Sequence, residues 1–593
     1  MTQMDFGIIG NGQVSALIDR TGKMIWCCLP DPDSPSVFAH LLDSKKGGFW
    51  EIAPESMSPS SECRVTQRYL KNTAVLSTCF FKGEDPAFEL LDFAPLPSQK
   101  DQGLPPIHFI RVLRPLQSTL KIRSRCLPRF EYGAQSPRLV SHPSCISWQS
   151  PRQRLFLTSS FPLDALLHER PLELNSTQFM ILSTEPWEKV PSLAEVLEEW
   201  STTLESWEKW VRSCRIPQLF QHEVIRSAIT LKLLCFESTG AILAALTTSL
   251  PEGPEPGRTW DYRSCWWRDA YFVVRAFYSL GRLQEVQQFA KFILKVVHSE
   301  PSGLLRPVYG LRGEKFWTEK ILKSLSGFKG LGPVRRGNAA YAMDQFDAYG
   351  EVFFVLSLIY TDQRFEGVDR QSIFEVMHFL VNQCREKFTQ PDAGIWEFRG
   401  QKRHFLFSKF VMCSAVQRAA EIAQCQGLRT LSCEWAAAAH RMSQEIHSRG
   451  WREKEQWFAQ SYSDSIPDAS NLLMPEFGFV RDQDPRFIKM VYSYEHALVS
   501  DSTTFRYRVA DDFGVPKTAF LACSFWRVNA LWRVGQKRKA YEVFQQILRH
   551  SNHLGLLSED IDPRSGELWG NFPQSYSHAG LIHSALLIQA KKR

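Results

Sequence analysis

Three loop segments concentrate side chains able to do acid–base chemistry beside flat aromatic faces. Residues 257–272, GRTWDYRSCWWRDAYF, hold three Trp, two Tyr, three Arg and two Asp in sixteen positions. Residues 392–400, DAGIWEFRG, form a Gly-flanked turn in which Trp396 directly precedes Glu397. Residues 554–582, LGLLSEDIDPRSGELWGNFPQSYSHAGLI, carry Glu559, Asp560, Asp562 and Glu567 ahead of an aromatic stretch and a helix start. Cleavage of an acetal bond between sugars needs two carboxyl groups. One protonates the leaving oxygen; the other activates water or attacks the anomeric carbon. A sugar also needs an apolar face to stack on and forked donors for its hydroxyls, and these loops carry all three kinds of group. Each carboxylate taken alone reads more simply as a solvated charge or as an ion pair with a neighbour such as Arg399. The coincidence of three such loops is what points to a site. Asp560 reads as a brace, Asp562-Pro563 as a turn, and His578 either as a site residue or as part of a helix start. His222 stands in HEVIR, which lacks the HExxH spacing of a zinc site.

The elements that must carry these loops change character along the chain. Up to about residue 190 the pattern is short apolar runs broken by turn residues. FGIIGNGQVSALIDRTGKMIWCCLP reads as hairpins closed at Gly-Asn-Gly and Arg-Thr-Gly-Lys. TAVLSTCFFKGEDPAFELLDFAP reads as another, and FIRVLRPLQSTLKIRSRCLPRFEYG as a further strand pair. Strands at this spacing predict an antiparallel β-sandwich. Residues 192–214 then switch to apolar spacing of i, i+3, i+4, a helix that reads as a linker. From 218 to 592 about a dozen helical stretches follow, among them 283–299, 371–388, 408–424, 433–448, 519–532 and 538–551. No short fixed repeat marks a solenoid. A closed toroid of paired helices with chemistry in the loops at one end is the better expectation, because long loops are uncommon unless they have a function.

Composition narrows the partners. The 593 residues carry 70 basic and 63 acidic side chains with no Lys/Arg run, which argues against nucleic acid. No stretch approaches a membrane span, and the first residues lack the pattern of a targeting signal. The 14 Cys are scattered, without pairs at zinc spacing, and several, such as Cys235 and Cys523, lie in apolar runs. They read as reduced core residues of a cytoplasmic protein.

The same segments resemble glycoside hydrolase family 15, the bacterial glucoamylase and trehalase-like enzymes. The family pattern is similar to WDYRYCWLRDA, GIWExRG and LLSEExDPxxGELxGNFPQ-x-SHxGLI; this chain has WDYRSCWWRDA, GIWEFRG and LLSEDIDPRSGELWGNFPQSYSHAGLI. STGAILAALTTSLPE (238–252), VYGLRGEKFWTE (308–319), PVRRGNAA (333–340) and AFLACSFW (519–526) fit as well, and residues 9–43 resemble the trehalase-like N-terminal domain. The resemblance covers nearly the whole chain. Ser264 and Trp267 depart from a common Tyr and Leu, and Phe405-Leu406-Phe407 is more apolar than usual, which bears on the leaving-group subsite.

The resemblance implies an N-terminal β-sandwich (1–190), a helical linker (191–217) and an (α/α)6-barrel catalytic domain (218–593). It implies an exo-acting, inverting enzyme that frees glucose from a non-reducing end as the β anomer, with Glu397 as general acid and Glu559 as general base. Arg268 and Asp269 match the pair holding the far hydroxyls of the innermost glucose. Tyr262 matches a hydroxyl near the base and its water, Trp266 and Trp396 match site-lining aromatics, and Arg335 and Arg506 match substrate-binding arginines. No cofactor or metal is implied, and the partner is a small α-glucoside, trehalose included, or a short oligosaccharide. A catalytically silent sugar-binding or scaffold protein of the same fold is the alternative, against which retention of both glutamates speaks. Inversion requires carboxyls roughly 6.5–9.5 Å apart, with room for water. Glu397 must hold a proton, helped by apolar Ile395, Trp396 and Phe398; Glu559 must stay ionised, for which a polar setting is expected.

Overall fold

The computed structural model describes residues 4–55, 64–97, 103–117, 120–300, 303–315 and 318–590. Phe316 and Trp317 of the 308–319 segment lie outside the described residues.

The N-terminal strands form two antiparallel sheets. The first orders Phe6–Gly10, Ser15–Asp19, Met24–Cys28, Phe49–Pro54, Leu120–Leu127 and Leu172–Leu174, with Ser36–Phe38 beside Met24–Cys28. The second has eight strands running from Arg138–Ser141 at one edge to Val65–Tyr69 at the other. Local turn chemistry fixes the hairpins: Asp19 accepts from the backbone N–H of Thr21 and of Lys23, which closes the Arg-Thr-Gly-Lys turn. Apolar side chains of both sheets, among them Ile8, Leu17, Phe80 and Leu113, join one core.

Residues 108–127 do not form the strand pair predicted from the sequence. His108–Pro115 pairs within the second sheet and Leu120–Leu127 within the first, so the chain crosses between sheets. The physical reason is that His108–Pro115 is covered on both faces. Phe109 and Leu113 enter the shared core, while Ile110 and Val112 point outward beneath the helix Leu193–Arg212. That helix, closed at its start by a Ser192/Glu195 capping box, is therefore a cover for the outer face of the sheet as well as a connection.

Beyond it, helices pack in two tiers. Trp267–Ser279, Asp347–Thr361, Leu406–Cys425, the short 3-10 helix Ala469–Leu473, Leu521–Arg533 and Ser575–Gln589 each pack on the next, and the last packs on the first. Helices such as Gln221–Leu233, Leu283–His298, Arg370–Lys387, Arg429–Gly450 and Lys537–Leu548 back this inner set. The inner helices are apolar nearly all round, as burial on every side demands; Leu406–Cys425 buries even Lys409, whose ammonium donates to the carbonyls of Phe388 and Gln390. The segments bearing Arg268, Glu397, Arg506 and Glu559 each lead into or begin an inner helix, which brings them to one end of the set. Among the described residues no helix is long and apolar enough to cross a membrane. The described cysteines are free thiols, Cys235 and Cys523 buried, Cys425 and Cys433 exposed.

The two halves meet behind the first chemical loop. Arg263 is fully buried and forms a bidentate pair with Asp261, while its remaining N–H groups reach the Ser34 carbonyl and the Tyr132 hydroxyl of the β half. Trp26 donates to the Leu246 carbonyl, and Arg226 to that of Thr73. Replacing Arg263 with Met strands a buried carboxylate, which costs about 3–5 kcal/mol. The variant is expected to unfold at clearly lower temperature and urea concentration than wild type; an unchanged unfolding midpoint would contradict the bracing role.

Candidate active site

Glu397 sits in a tight turn. Its backbone N–H donates to the Gly394 carbonyl, and that of Phe398 to the Ala393 carbonyl. Glu397 itself takes φ +59°, a left-handed conformation costly for a side-chain-bearing residue and frequent at functional positions. Gly394 permits the turn: a Cβ there would lie 2.6 Å from the Phe405 ring. Trp266 Nε1 donates to Glu397 Oε1 at 2.8 Å, and Arg268 Nη1 approaches the same oxygen at 3.5 Å. Burial pushes the Glu397 carboxyl up, against the pull of Arg268.

Glu559 follows Ser558, just before the short strand Asp560–Ile561, and is 1% exposed. Its Oε2 accepts from Asn571 N at 3.1 Å. Gly570 packs against it so closely that a Cβ would fall 2.6 Å from the Glu559 Cβ. His578 serves the same loop from behind: its Nε2 accepts from Leu557 N, and burial lowers its pKa to about 3, so the ring is neutral. His578 is a brace. The setting of Glu559 differs from the polar one predicted. Burial first, and the nearby charge of Glu252 second, push its carboxyl up to about 8; Arg506, Asn571 N–H and Tyr262 pull the other way. Glu252 and Asp560 stand beside Glu559, and all three carboxyls are buried.

Glu397 and Glu559 line one cavity, together with Tyr262, Arg268, Trp396 and Arg506. Trp266 and Asp269 stand one layer back. Trp266 orients Glu397, and Asp269 receives Arg268 Nε at 3.1 Å and Nη2 at 3.0 Å. Arg268 also donates to the Ile395 carbonyl at 2.6 Å, tying the two loops together. Trp396 is pinned by its N–H to Asp468. Arg335, expected at the sugar, is not among the cavity-lining residues: it pairs with Glu319 at 2.5 Å and lies over the Trp260 ring. Its place is behind Arg399, which shares Glu319 and does line the cavity. Arg506 pairs with Glu252, and its buried Nε has no partner among the described residues. Phe405 stacks on cavity-lining Phe398 at 5.1 Å, so the apolar 405–407 run touches the site only through that ring.

Sequence reading missed Glu252, Arg258, Tyr507, Tyr576 and the turn Asp511–Gly514, all of which line or close the cavity. The Tyr576 hydroxyl is buried there without a partner among the described residues. The signals were present in the last residue of STGAILAALTTSLPE, in the Arg258 of the first loop and in the Asp-Asp-Phe-Gly turn sequence.

Below the cavity lies a second set of buried carboxyls. Asp347 is pushed to about 7 and Asp392 to about 6, each by burial first, and Glu351 is raised well above the ordinary range. Neither Glu351 oxygen has a hydrogen-bond partner among the described residues.

Two acid–base carboxyls, aromatic walls and forked arginines in one cleft are the apparatus of a glycoside hydrolase. The chain belongs to glycosyl hydrolases family 15, whose model matches residues 219–586; a trehalase-like N-terminal model matches residues 4–159. It is 30% identical to a protein named Trehalase from Thermoplasma volcanium over 592 residues, covering 98% of this chain and 92% of that one. It is 31% identical to one named Trehalase from Mycobacterium tuberculosis over 621 residues, covering 98% and 89%. Its fold is similar to that of a bacterial glucoamylase solved with acarbose, with a TM-score of 0.70 at 13% identity, covering 99% of this chain and 94% of that one.

Two measurements check this geometry. Gly570→Ala is expected to displace Glu559 and lower kcat about a hundredfold, since an ångström of misplacement costs that much; wild-type turnover would contradict the packing. The second concerns pH. Asp347 holds its proton in the folded chain to about pH 7, whereas the unfolded chain releases it near pH 4. Its contribution to stability is therefore complete below about pH 4 and lost as pH rises through 7. Asp347→Asn removes this loss. The variant's melting temperature minus that of wild type is expected to grow steadily between those pH values; a pH-independent difference would contradict it.

Proposed function

We propose that the protein hydrolyses α,α-trehalose, or a closely similar small α-glucoside, by a single displacement in which Glu397 is the general acid and Glu559 the general base. The observation that carries this reading is the convergence of both carboxyls on one cavity, each with one oxygen held by a fixed N–H donor. Glu397 Oε2 delivers its proton to the glycosidic oxygen. Glu559 Oε1 draws a proton from water, which attacks the anomeric carbon from the opposite face. Arg268 and Arg506 supply donors for the sugar hydroxyls, with Trp396 and Tyr262 as walls. The inner helices are read as the inner tier of an (α/α)6 barrel, with residues 218–593 as its domain, 191–217 as linker and 1–190 as β-sandwich.

The preference for a short substrate is supported by the turn Asp511–Gly514. Asp511 pairs with Arg258, Gly514 accepts from Arg258, and Asp512 accepts from the Arg399 N–H. Phe513 packs on Trp260 at 4.8 Å. This wall narrows the cleft where a longer glucan would continue. The relatives named Trehalase, aligned over nearly the full chain, support the choice of disaccharide.

Glucose release from trehalose, maltose, isomaltose and maltoheptaose tests the reading. Trehalose is expected to have the highest kcat/KM and maltoheptaose the lowest. Glu397→Gln and Glu559→Gln are each expected to lose about 10²–10⁴-fold in kcat. Preference for maltoheptaose would overturn the substrate, and near wild-type turnover in either variant would overturn its assigned role.

A further inference from the structure

A third carboxylate lines the cavity, and acid–base catalysis as proposed leaves it without a role. Glu252 is 3% exposed. Its Oε1 accepts from Trp260 Nε1 at 2.8 Å, and its Oε2 accepts from Arg258 Nη1 at 3.3 Å and pairs with Arg506. The backbone is pinned as well: Glu252 N donates to the Arg258 carbonyl at 3.0 Å, and its carbonyl accepts from Thr518 Oγ1 at 2.6 Å. With both oxygens occupied by three donors, Glu252 is poorly placed to exchange a proton with substrate.

We propose that Glu252 is a positioning residue of the hydrolytic site: it holds Arg506 and Arg258 in the cavity wall beside Glu559, so that Arg506 stays available to the sugar instead of pairing with the base. The proposal rests on the reading of Glu559 as base. Arg506 is surrounded by competing anions, namely Glu252, Asp560 and Glu559. Among these Glu252 makes the ion pair, and the Nε of Arg506 stays buried and unpartnered. The other charged or titratable groups facing Glu252 are Arg258, with Asp511 beyond it, and Tyr262. Without the Glu252 charge, the Arg506 guanidinium has Glu559 and Asp560 left to pair with. Such a pairing withdraws Arg506 from the sugar and makes Glu559 a weaker base. In support, the Glu252 charge is the second cause, after burial, of the raised Glu559 carboxyl.

Glu252→Gln and Glu252→Asp separate the two effects. Gln removes the charge and the clamp; Asp keeps the charge but is one methylene too short to hold both arginines. For Glu252→Gln, the acidic limb of the kcat/KM profile on trehalose is expected to move down by about one pH unit. KM is expected to rise about tenfold as the charge-assisted contact to the sugar is lost. For Glu252→Asp, KM is expected to rise while the limb moves less than in Glu252→Gln, because the charge is kept. An unmoved limb in Glu252→Gln, an equal shift in both variants, or wild-type KM in both would overturn the proposal. If Glu252→Gln does not fold, Glu252→Asp decides: raised KM supports the role, and wild-type KM overturns it. Should the wild type cleave another α-glucoside instead of trehalose, that substrate serves for the profiles, so failure of the substrate reading leaves this test intact. Full turnover by Glu559→Gln would instead remove the base on which the proposal rests.

Discussion

Carboxyl groups crowded into a space that excludes water are the constraint on which the rest of this molecule depends. Glu252, Glu397 and Glu559 line the cavity, Asp560 is buried beside Glu559, and Asp269, Asp347 and Glu351 lie close beneath. Left unpaired, buried anions of this number would be prohibitively costly. Arg268 and Arg506 make the arrangement tenable. Arg268 pairs with Asp269 and approaches Glu397; Arg506 pairs with Glu252 and lies near Glu559 and Asp560. Burial displaces several of the remaining carboxyls toward neutral pH, Asp347 and Asp392 among them. For catalysis the consequence is that both Glu397 and Glu559 are raised by burial, Glu559 with the Glu252 charge beside it.

The scaffold answers the same constraint. Each acidic turn leads into an inner helix, so all of them open at one end of the inner set. Their backbones are held in conformations open solvent would not enforce: Glu397 at positive φ, and Gly570 against the Glu559 side chain. The β half contributes through the Arg263–Asp261 pair, buried between the sheets and the loop that carries Tyr262 and Trp266.

Much of this was legible in the sequence, for identifiable reasons. Hairpins with Asx-type turns and amphipathic outer helices announce themselves through local spacing. The three chemical loops stood out because acid, arginine and tryptophan rarely cluster without cause. What escaped depended on partners distant in the chain. His108–Pro115 and Leu120–Leu127 look like a hairpin locally, yet cover by the helix Leu193–Arg212 assigns the first to a different sheet. Arg335 stands inside a family-like motif but pairs with Glu319 and does not line the cavity. Glu252 ends an apolar stretch and looks like a solvated charge until Arg258, Arg506 and Trp260 close around it. The raised Glu559 carboxyl follows from burial first and from the Glu252 charge second, and no single segment contains both.

The central claim is that water, activated by Glu559, replaces the leaving sugar in one step. Trehalose makes this directly visible, because its two glucoses are chemically identical before cleavage and distinct after it. Single displacement inverts the attacked unit and leaves the other untouched. Hydrolysis in ¹⁸O-labelled water, followed by proton NMR and mass spectrometry before mutarotation, should give α- and β-glucose in equal initial amounts, with the label in the β anomer alone. An initial burst of α-glucose only, with the label in the α anomer, would contradict the mechanism and make Glu559 a nucleophile.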